Sequence, residues 1–182
     1  MECCAIGVRP RAADKLQHVF LIFLAGSVAG WIHEVVFCWM TEGVLQNRGI
    51  LYGPWLPIYG IGALSIAALK PLKKHPALLL VLCMAVAGVV EYVIGYAGIH
   101  LFGLRLWDYR DMPMNIDGIV CMGSIACFGI LGLAFHYLLE PAGEKLLGRV
   151  DSGVLSPVCL GLLALFVTDC IVSFLFRTPI TY

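Results

Sequence analysis

The sequence has few charged residues. They make up 13% of the chain, whereas 60% of the residues are hydrophobic and the mean hydropathy is +0.91. A soluble domain needs about a quarter of its residues charged to cover its surface, which excludes a water-soluble globular protein. The net charge is zero and no basic tract exceeds Lys73-Lys74-His75, so nothing indicates a nucleic-acid partner. The long apolar stretches instead predict helices that span a lipid bilayer.

The motifs of common soluble enzymes are also missing. The chain contains no Gly-x-Ser-x-Gly, no P-loop, no dinucleotide fingerprint and no Ser-His-Asp order. None of its eight cysteines forms a Cys-x-x-Cys pair, so neither a disulfide framework nor a zinc site is expected. We therefore predict no cofactor and no metal, and we favour a non-enzymatic role. Any ATP hydrolysis would have to come from another chain.

Five apolar stretches predict an all-α, polytopic transmembrane bundle. The spans are residues 16–40, 56–69, 77–104, 119–139 and 155–176. They form a single transmembrane domain, 16–177, between an N-terminal tail, 1–15, and a C-terminal tail, 178–182. The second span is short for a bilayer that needs about 20 residues, so it should borrow from residues 49–55.

The basic residues divide unequally between the two sides. Eight fall on one side and four on the other. The larger set is Arg9, Arg11, Lys15, Lys70, Lys73, Lys74, Lys145 and Arg149, and the smaller set is Arg48, Arg105, Arg110 and Arg177. Because basic residues stay cytoplasmic, we predict a plasma-membrane protein with its N-terminus inside and its C-terminus outside. Residues 140–153 then lie inside, where mixed apolar and charged residues predict a short interfacial helix.

Three acids lie within predicted spans, where an ionised side chain costs ~2.5–3.5 kcal/mol. Glu34 follows two glycines at four-residue steps, and Glu91 also lies on a glycine stripe. Such stripes let another helix approach, so both acids should face helix neighbours. A ligand, proton or ion site is favoured over a purely structural role for these two. For Asp169, structural pairing with a polar group on another span is favoured.

Two irregular segments are predicted on the outer face. The first segment is residues 41–55 and the second segment is residues 105–118. Both mix aromatic, proline, glycine and polar residues without helical period, and both are half apolar, so they should fold back against the bundle. Irregular backbone at membrane depth is tolerated only where it is buried in protein or lines a cavity. We therefore predict a polar cavity that opens outward.

The candidate cavity or substrate-binding residues come from the embedded glutamates and the two segments. They are Glu34, Asn47, Arg48, Tyr52, Tyr59, Glu91, Trp107, Asp108, Tyr109 and Asn115. An ion pair between Arg48 and Asp108 would join the two segments. An interfacial aromatic belt explains the tryptophans equally well, but it does not explain the local density of glycine, proline and asparagine.

A faint repeat links the two halves of the chain. A shift of 69 residues aligns 49–64 with 118–133, with five identities in sixteen positions, and places Tyr59 on Phe128. Chance similarity in a chain rich in glycine and isoleucine is the favoured interpretation. The alternative is that the first two spans repeat as the third and fourth, in parallel, about an axis along the membrane normal.

Three stretches of the chain resemble a known family. They are NRGILYGPWLPIYGIGAL (47–64), EYVIGYAGIHLFGLRLWDYRDMPMNIDGIVC (91–121) and GWIHEVV in the first span. They are similar to bacterial membrane proteins described as ABC-transporter permeases of the CmpB-like, type IV group. The resemblance covers residues 26–141. It implies a transport component that works with a separate ATPase subunit.

Three functions remain open from the residues. The first is a permease subunit with an outward-opening cavity, and five spans in 182 residues form so small a pathway that a homodimer or partner subunits would be needed. The second is an intramembrane enzyme that acts on a lipid or lipid-linked substrate, with the carboxylates in acid–base roles. The third is a non-catalytic scaffold or regulator, in which the embedded acids matter for folding alone.

Overall fold

The chain folds almost entirely into helices. The computed structural model describes residues 12–47 and 49–177. Its helices are α1 (Ala12–Glu42), α2 (Pro57–Ala67), α3 (Pro76–Phe102), α4 (Met122–Ala134), α5 (Glu140–Leu147) and α6 (Ser152–Phe176), and its strands β1 (Asn115–Ile116) and β2 (Val120–Cys121) pair antiparallel. Four helical stretches are long and apolar enough to cross a membrane: Lys15–Thr41, Pro76–Phe102, Met122–Leu147 and Gly153–Phe176. The predicted all-α membrane bundle is confirmed.

The second predicted span is only partly helical. Helix α2 has 11 residues, which is about 16 Å at 1.5 Å per residue and about half of a ~30 Å hydrocarbon layer. It begins half way along α1, because the backbone N–H of Leu56 donates to the carbonyl of Ser27 at 2.9 Å. The irregular residues before α2 cover the remaining depth. How many times the chain crosses the bilayer stays a prediction.

The helices form two antiparallel hairpins, α1 with α2 and α3 with α4. In the first hairpin, Gly26 lies against Ala63 and Gly30 lies against the ring of Tyr59. In the second hairpin, Gly132 lies against Cys83. Helices α2 and α3 pack side by side and join the hairpins into a bundle, and α6 lies outside it with its main helix contact on α1.

The bundle has two chemically different ends. We call the end that carries Lys70, Lys73 and Lys74 the lysine end, and the end that carries the two segments the loop end. A buried cluster of Ile66, Leu79 and Cys83 packs near the lysine end.

The predicted interfacial helix forms as α5, but it continues from α4 without a break. Residues Phe135–Leu139 make a π turn between the two helices. Pro141 follows directly and lacks the backbone N–H of a regular helix, which favours a local change of hydrogen-bond register.

Salt bridges tie α5 to the turn after α2. The ammonium of Lys70 lies 2.6 Å from Glu144 and 2.9 Å from Glu140, and Lys73 lies 3.1 Å from Glu140. The hydrogen bond with Glu144 raises the pKa of Lys70 to about 12. The fully buried ring of His136 contacts the carbonyl of Ile66 at 2.8 Å. The lysine end is therefore closed by charged and polar contacts between the two hairpins.

Candidate functional site

Glu34 is held by a hydroxyl group from the neighbouring helix. A Cβ atom at Gly30, one turn before it on α1, would collide with the ring of Tyr59. The absence of that atom lets Tyr59 of α2 lie directly against α1, where its hydroxyl donates to Glu34 Oε1 at 2.5 Å. His33 is exposed, and its Nδ1 lies 3.5 Å from the same hydroxyl. The predicted residues Glu34 and Tyr59 are thus brought together.

Glu91 lies deeper, with 5% of its surface exposed. Its Oε1 accepts a hydrogen bond from the Tyr109 hydroxyl at 2.9 Å, and its Oε2 accepts one from Ser124 Oγ at 2.8 Å. Tyr109 comes from the second segment and Ser124 from α4. The carboxylate therefore joins three parts of the chain, as expected for an acid that faces its helix neighbours.

Ser124 was missed by the sequence analysis, although the chain carries a local signal for it. Cys121 is the N-cap of α4, and its Sγ accepts from the backbone N–H of Ser124 at 3.4 Å. In return, Ser124 Oγ accepts from the N–H of Cys121 at 3.3 Å. This reciprocal arrangement is a capping box, which places a polar side chain three residues after the cap. It fixes the serine at the start of α4, beside Glu91.

The two glutamates belong to one cluster. The rings of Tyr59 and Phe128 meet edge to face with their centres 5.5 Å apart. The charges of Glu34 and Glu91 act on one another, and Tyr109 interacts electrostatically with Glu34. We call the five polar residues the glutamate cluster: Glu34, Tyr59, Glu91, Tyr109 and Ser124.

The hydrogen-bond partners of the glutamate cluster are hydroxyl groups. Burial, and then the charge of Glu91, raise the pKa of the Tyr109 phenol, which keeps it a hydrogen-bond donor. Within residues 12–47 and 49–177, no lysine, arginine or histidine forms an ion pair with Glu34 or Glu91. The cluster can therefore donate, accept and exchange protons without breaking a salt bridge.

Asp108 stabilises the second segment from within. Its carboxylate accepts from Arg110 Nε at 2.7 Å and lies 3.7 Å from Arg105 Nη1. The hydrogen bond from Arg110 lowers the pKa of Asp108 below its ordinary value. Arg48 lies outside the described residues, and so does its predicted ion pair with Asp108.

Two other candidates also shape the second segment. The indole N–H of Trp107 donates to the carbonyl of Ile119 at 2.6 Å. Asn115 donates to the carbonyl of Met112 at 2.8 Å and accepts from the N–H of Gly118 at 3.1 Å. These bonds fold the segment so that Tyr109 reaches Glu91. Trp107, Asp108 and Asn115 thus support the glutamate cluster without hydrogen-bonding to it.

Asn47 and Tyr52 lie apart from the cluster, between α1 and α6. Asn47 accepts from the Trp31 indole at 2.6 Å and donates to the carbonyl of Tyr52 at 2.7 Å. Arg177 donates to the carbonyl of Asn47 at 3.1 Å, and its guanidinium lies 5.2 Å from the centre of the Tyr52 ring. Both residues therefore organise the first segment.

Asp169 of α6 holds the first segment at depth. Its Oδ2 accepts from the backbone N–H of Gly53 at 2.9 Å and from the Trp55 indole at 2.6 Å. Ser173, one turn later, donates to Asp169 Oδ1 at 3.0 Å and accepts from the N–H of Tyr52 at 2.9 Å. The acid thus pairs with polar groups elsewhere in the chain, and it satisfies backbone donors that lack a helical partner.

Two grooves lie on the outward apolar faces. One, of about 270 Å³, is lined by Tyr92, Val93, Tyr96, Ala97, His100 and Leu101, and the other, of about 380 Å³, by Cys170, Ile171, Phe174 and Leu175. The glutamate cluster lines neither of them, so the outward-opening polar cavity stays a prediction. In the described part of the chain, no three His, Cys, Asp or Glu side chains come together as a metal site would require.

Comparison with known proteins gives one match. A family model described as "Putative ABC-transporter type IV" matches residues 21–174, from the middle of α1 to the end of α6. No curated protein and no solved structure matches the chain.

Proposed function

The chain belongs to this ABC-transporter type IV family, because the match covers most of its length, and from this premise we propose that it is a permease-like membrane subunit. A solute would pass the glutamate cluster through a polar cavity that opens at the loop end. The two glutamates would provide the charge that the solute meets.

The observation that carries this proposal is the set of partners of the two glutamates. An embedded carboxylate that serves only the fold is expected to have permanent donors, as Asp169 has in a backbone N–H and an indole N–H. Glu34 and Glu91 have hydroxyl partners. A hydroxyl can donate or accept, so such contacts can rearrange when a proton or a polar solute arrives. Embedded ionisable residues are a common mark of ion and solute pathways.

The elements around the cluster are consistent with an opening at the loop end. Tyr109 reaches Glu91 from the irregular second segment, and α2 ends at half depth beneath the irregular first segment. Irregular backbone can move without breaking a helical ladder of hydrogen bonds. A shift of the second segment would uncover Glu91 from the loop end.

The same proposal includes partners. The positive-inside rule assigns the lysine end to the cytoplasm, where an ATPase subunit would bind. Four membrane-length helices and one half-length helix enclose little space, so a second copy or another subunit would complete the pathway.

The test compares cells that lack this chain with cells that carry the wild type, Glu34→Gln or Glu91→Gln. Metabolite profiles of the cells and their medium would reveal the solute as a compound whose distribution depends on the wild type. We expect either substitution to reduce that transport at least tenfold at equal protein abundance, because the amide lacks the carboxylate charge. Glu144→Gln is the matched control, since Glu144 is exposed at the lysine end and its replacement should leave transport unchanged.

Wild-type transport by both variants at normal abundance would contradict the role of the cluster. If both variants instead fail only through low abundance, the acids serve the fold, as the scaffold hypothesis predicts. A changed lipid in place of a redistributed solute would favour the intramembrane enzyme.

A further inference from the structure

The two hairpins make the same internal contacts at fixed sequence offsets. In each hairpin, a glycine of the second helix packs on two side chains of the first helix. The contacts are Gly60 with Phe23 and Ser27, and Gly129 with Leu80 and Met84. The glycines differ by 69 residues, and both contacted side chains differ by 57.

A second contact follows the same rule one turn away. Gly26 lies against Ala63 in the first hairpin, and Cys83 lies against Gly132 in the second. The offset is again 57 in the first helix, from 26 to 83, and 69 in the second helix, from 63 to 132. The glycine is on the first helix in one hairpin and on the second helix in the other, so the close approach is kept while its residues are exchanged.

The connecting segments share a backbone feature as well. Gly49 and Gly118, which differ by 69, precede α2 and α4 and have φ angles of +91° and +65°. Both therefore adopt a left-handed conformation that favours glycine. The difference between the offsets, 69 − 57 = 12, is the additional length of the connection in the second hairpin.

With an offset of 57 in the first helices, Glu34 corresponds to Glu91. A single shift of the sequence by 69 residues aligns the connecting segments and second helices but does not align the two acids. The contacts of the structure supply the second offset and with it the correspondence. Each acid accepts from the same face of the second helix in its own hairpin, from Tyr59 or from Ser124, which is one turn before Phe128, the counterpart of Tyr59.

The relation between the hairpins has a defined axis. Tyr59 and Phe128 are counterparts and their rings touch, with centres 5.5 Å apart. Counterparts can touch only next to the axis that relates them. Helices α1 and α3 run in the same direction, because each is antiparallel to the second helix of its hairpin and a short turn joins α2 to α3. The axis therefore runs along the bundle, between Tyr59 and Phe128.

We propose that the two hairpins are copies of one unit about this axis, and that Glu34 and Glu91 are counterpart acids that act as one site. This deepens the proposed function, since the pathway would follow the axis. It rests on the proposed function only for that pathway, because the correspondence itself stands on the contacts. Asp169 lies on α6, outside the duplicated unit, and has no counterpart.

The test uses the full-length wild-type chain in lipid vesicles and dicyclohexylcarbodiimide, an apolar reagent that modifies protonated carboxyl groups in apolar surroundings. Intact mass measurement counts the adducts and peptide mapping locates them. We expect chains to carry one adduct, on either Glu34 or Glu91, because the first bulky adduct fills the space between the two acids. Glu34→Gln and Glu91→Gln should each still take up one adduct at the remaining acid, and the double variant should take up none there.

Chains modified at both glutamates at once would overturn the single site, and so would a lack of modification at both. A single adduct together with normal transport in the glutamine variants would sink the proposed pathway and leave the duplication standing. Loss of transport together with double modification would do the reverse.

The axis has a test of its own. In a chain whose eight native cysteines are replaced, Tyr59→Cys with Phe128→Cys should cross-link within one chain through a short bifunctional maleimide. The control is Ile61→Cys with Ile130→Cys, which shares the 69-residue offset but lies on exposed faces, with 42% and 63% of the side chains exposed. Equal cross-linking of both pairs, or none in the first, would contradict the axis.

Discussion

At the scale of single residues, the three embedded acids have different surroundings. Asp169 faces two N–H donors that have no other partner in the first segment. Glu34 and Glu91 face hydroxyl groups, which can reverse the direction of a hydrogen bond. The same carboxylate chemistry therefore supports a fixed structural role in α6 and an exchangeable role in the glutamate cluster.

Replacement of Asp169 by alanine should destabilise the protein. The N–H of Gly53 and the indole of Trp55 would lose their acceptor, and a buried donor without a partner costs about 1–3 kcal/mol. Thermal unfolding of the purified protein in detergent measures the effect. Thr168→Ala, the neighbouring exposed position on the same helix, should change the free energy of unfolding by less than about 0.5 kcal/mol. Equal melting temperatures for the two variants would remove Asp169 from its role in the first segment.

At the scale of elements, α2 decides where the glutamate cluster lies. Its start at the level of Ser27 brings Tyr59 alongside Glu34, and its end places the carbonyl of Ile66 against His136. A helix of full membrane length would place Tyr59 elsewhere relative to α1. The proline-rich entry into α2 and the anchoring of the first segment by Asp169 together fix this short helix.

Two glycine substitutions separate close packing from helix propensity. In Gly30→Ala the new methyl group would meet the Tyr59 ring, so we expect a loss of about 1–3 kcal/mol and displacement of the tyrosine from Glu34. In Gly62→Ala nothing lies within 4 Å of the new methyl group, so we expect a gain of about 0.5–1 kcal/mol from reduced backbone freedom. Thermal unfolding in detergent measures both variants. Similar effects of the two substitutions would mean that α1 and α2 do not approach as described.

At the scale of the whole molecule, the charge distribution predicts the orientation in the membrane. Met114 lies at the loop end with 70% of its surface exposed, and Lys145 lies exposed at the lysine end. In a chain without native cysteines, Met114→Cys should react with a membrane-impermeant maleimide in intact cells, whereas Lys145→Cys should react only after permeabilisation. The reverse pattern would invert the assignment of the ATPase partner to the lysine end, and labelling of both in intact cells would contradict the predicted topology.

Local properties of the sequence determined much of this protein. Apolar composition over about 20 residues predicts a membrane helix wherever it occurs, and α1, α3, the α4–α5 helix and α6 follow from it. Glycine spacing around Glu34 and Glu91 indicated that both acids face other helices. The irregular character of residues 41–55 followed from their proline and glycine content.

Only the tertiary structure decided which groups meet. Tyr109 and Ser124 reach Glu91 from positions 18 and 33 residues away, and Asp169 reaches Gly53 across 116 residues. Helical periodicity carries no information on such distances. The correspondence of Glu34 with Glu91 was hidden for a related reason. The connections in the two hairpins differ by 12 residues, so no single shift of the sequence aligns both helices of a hairpin, whereas the packing contacts depend on position in space and align them directly.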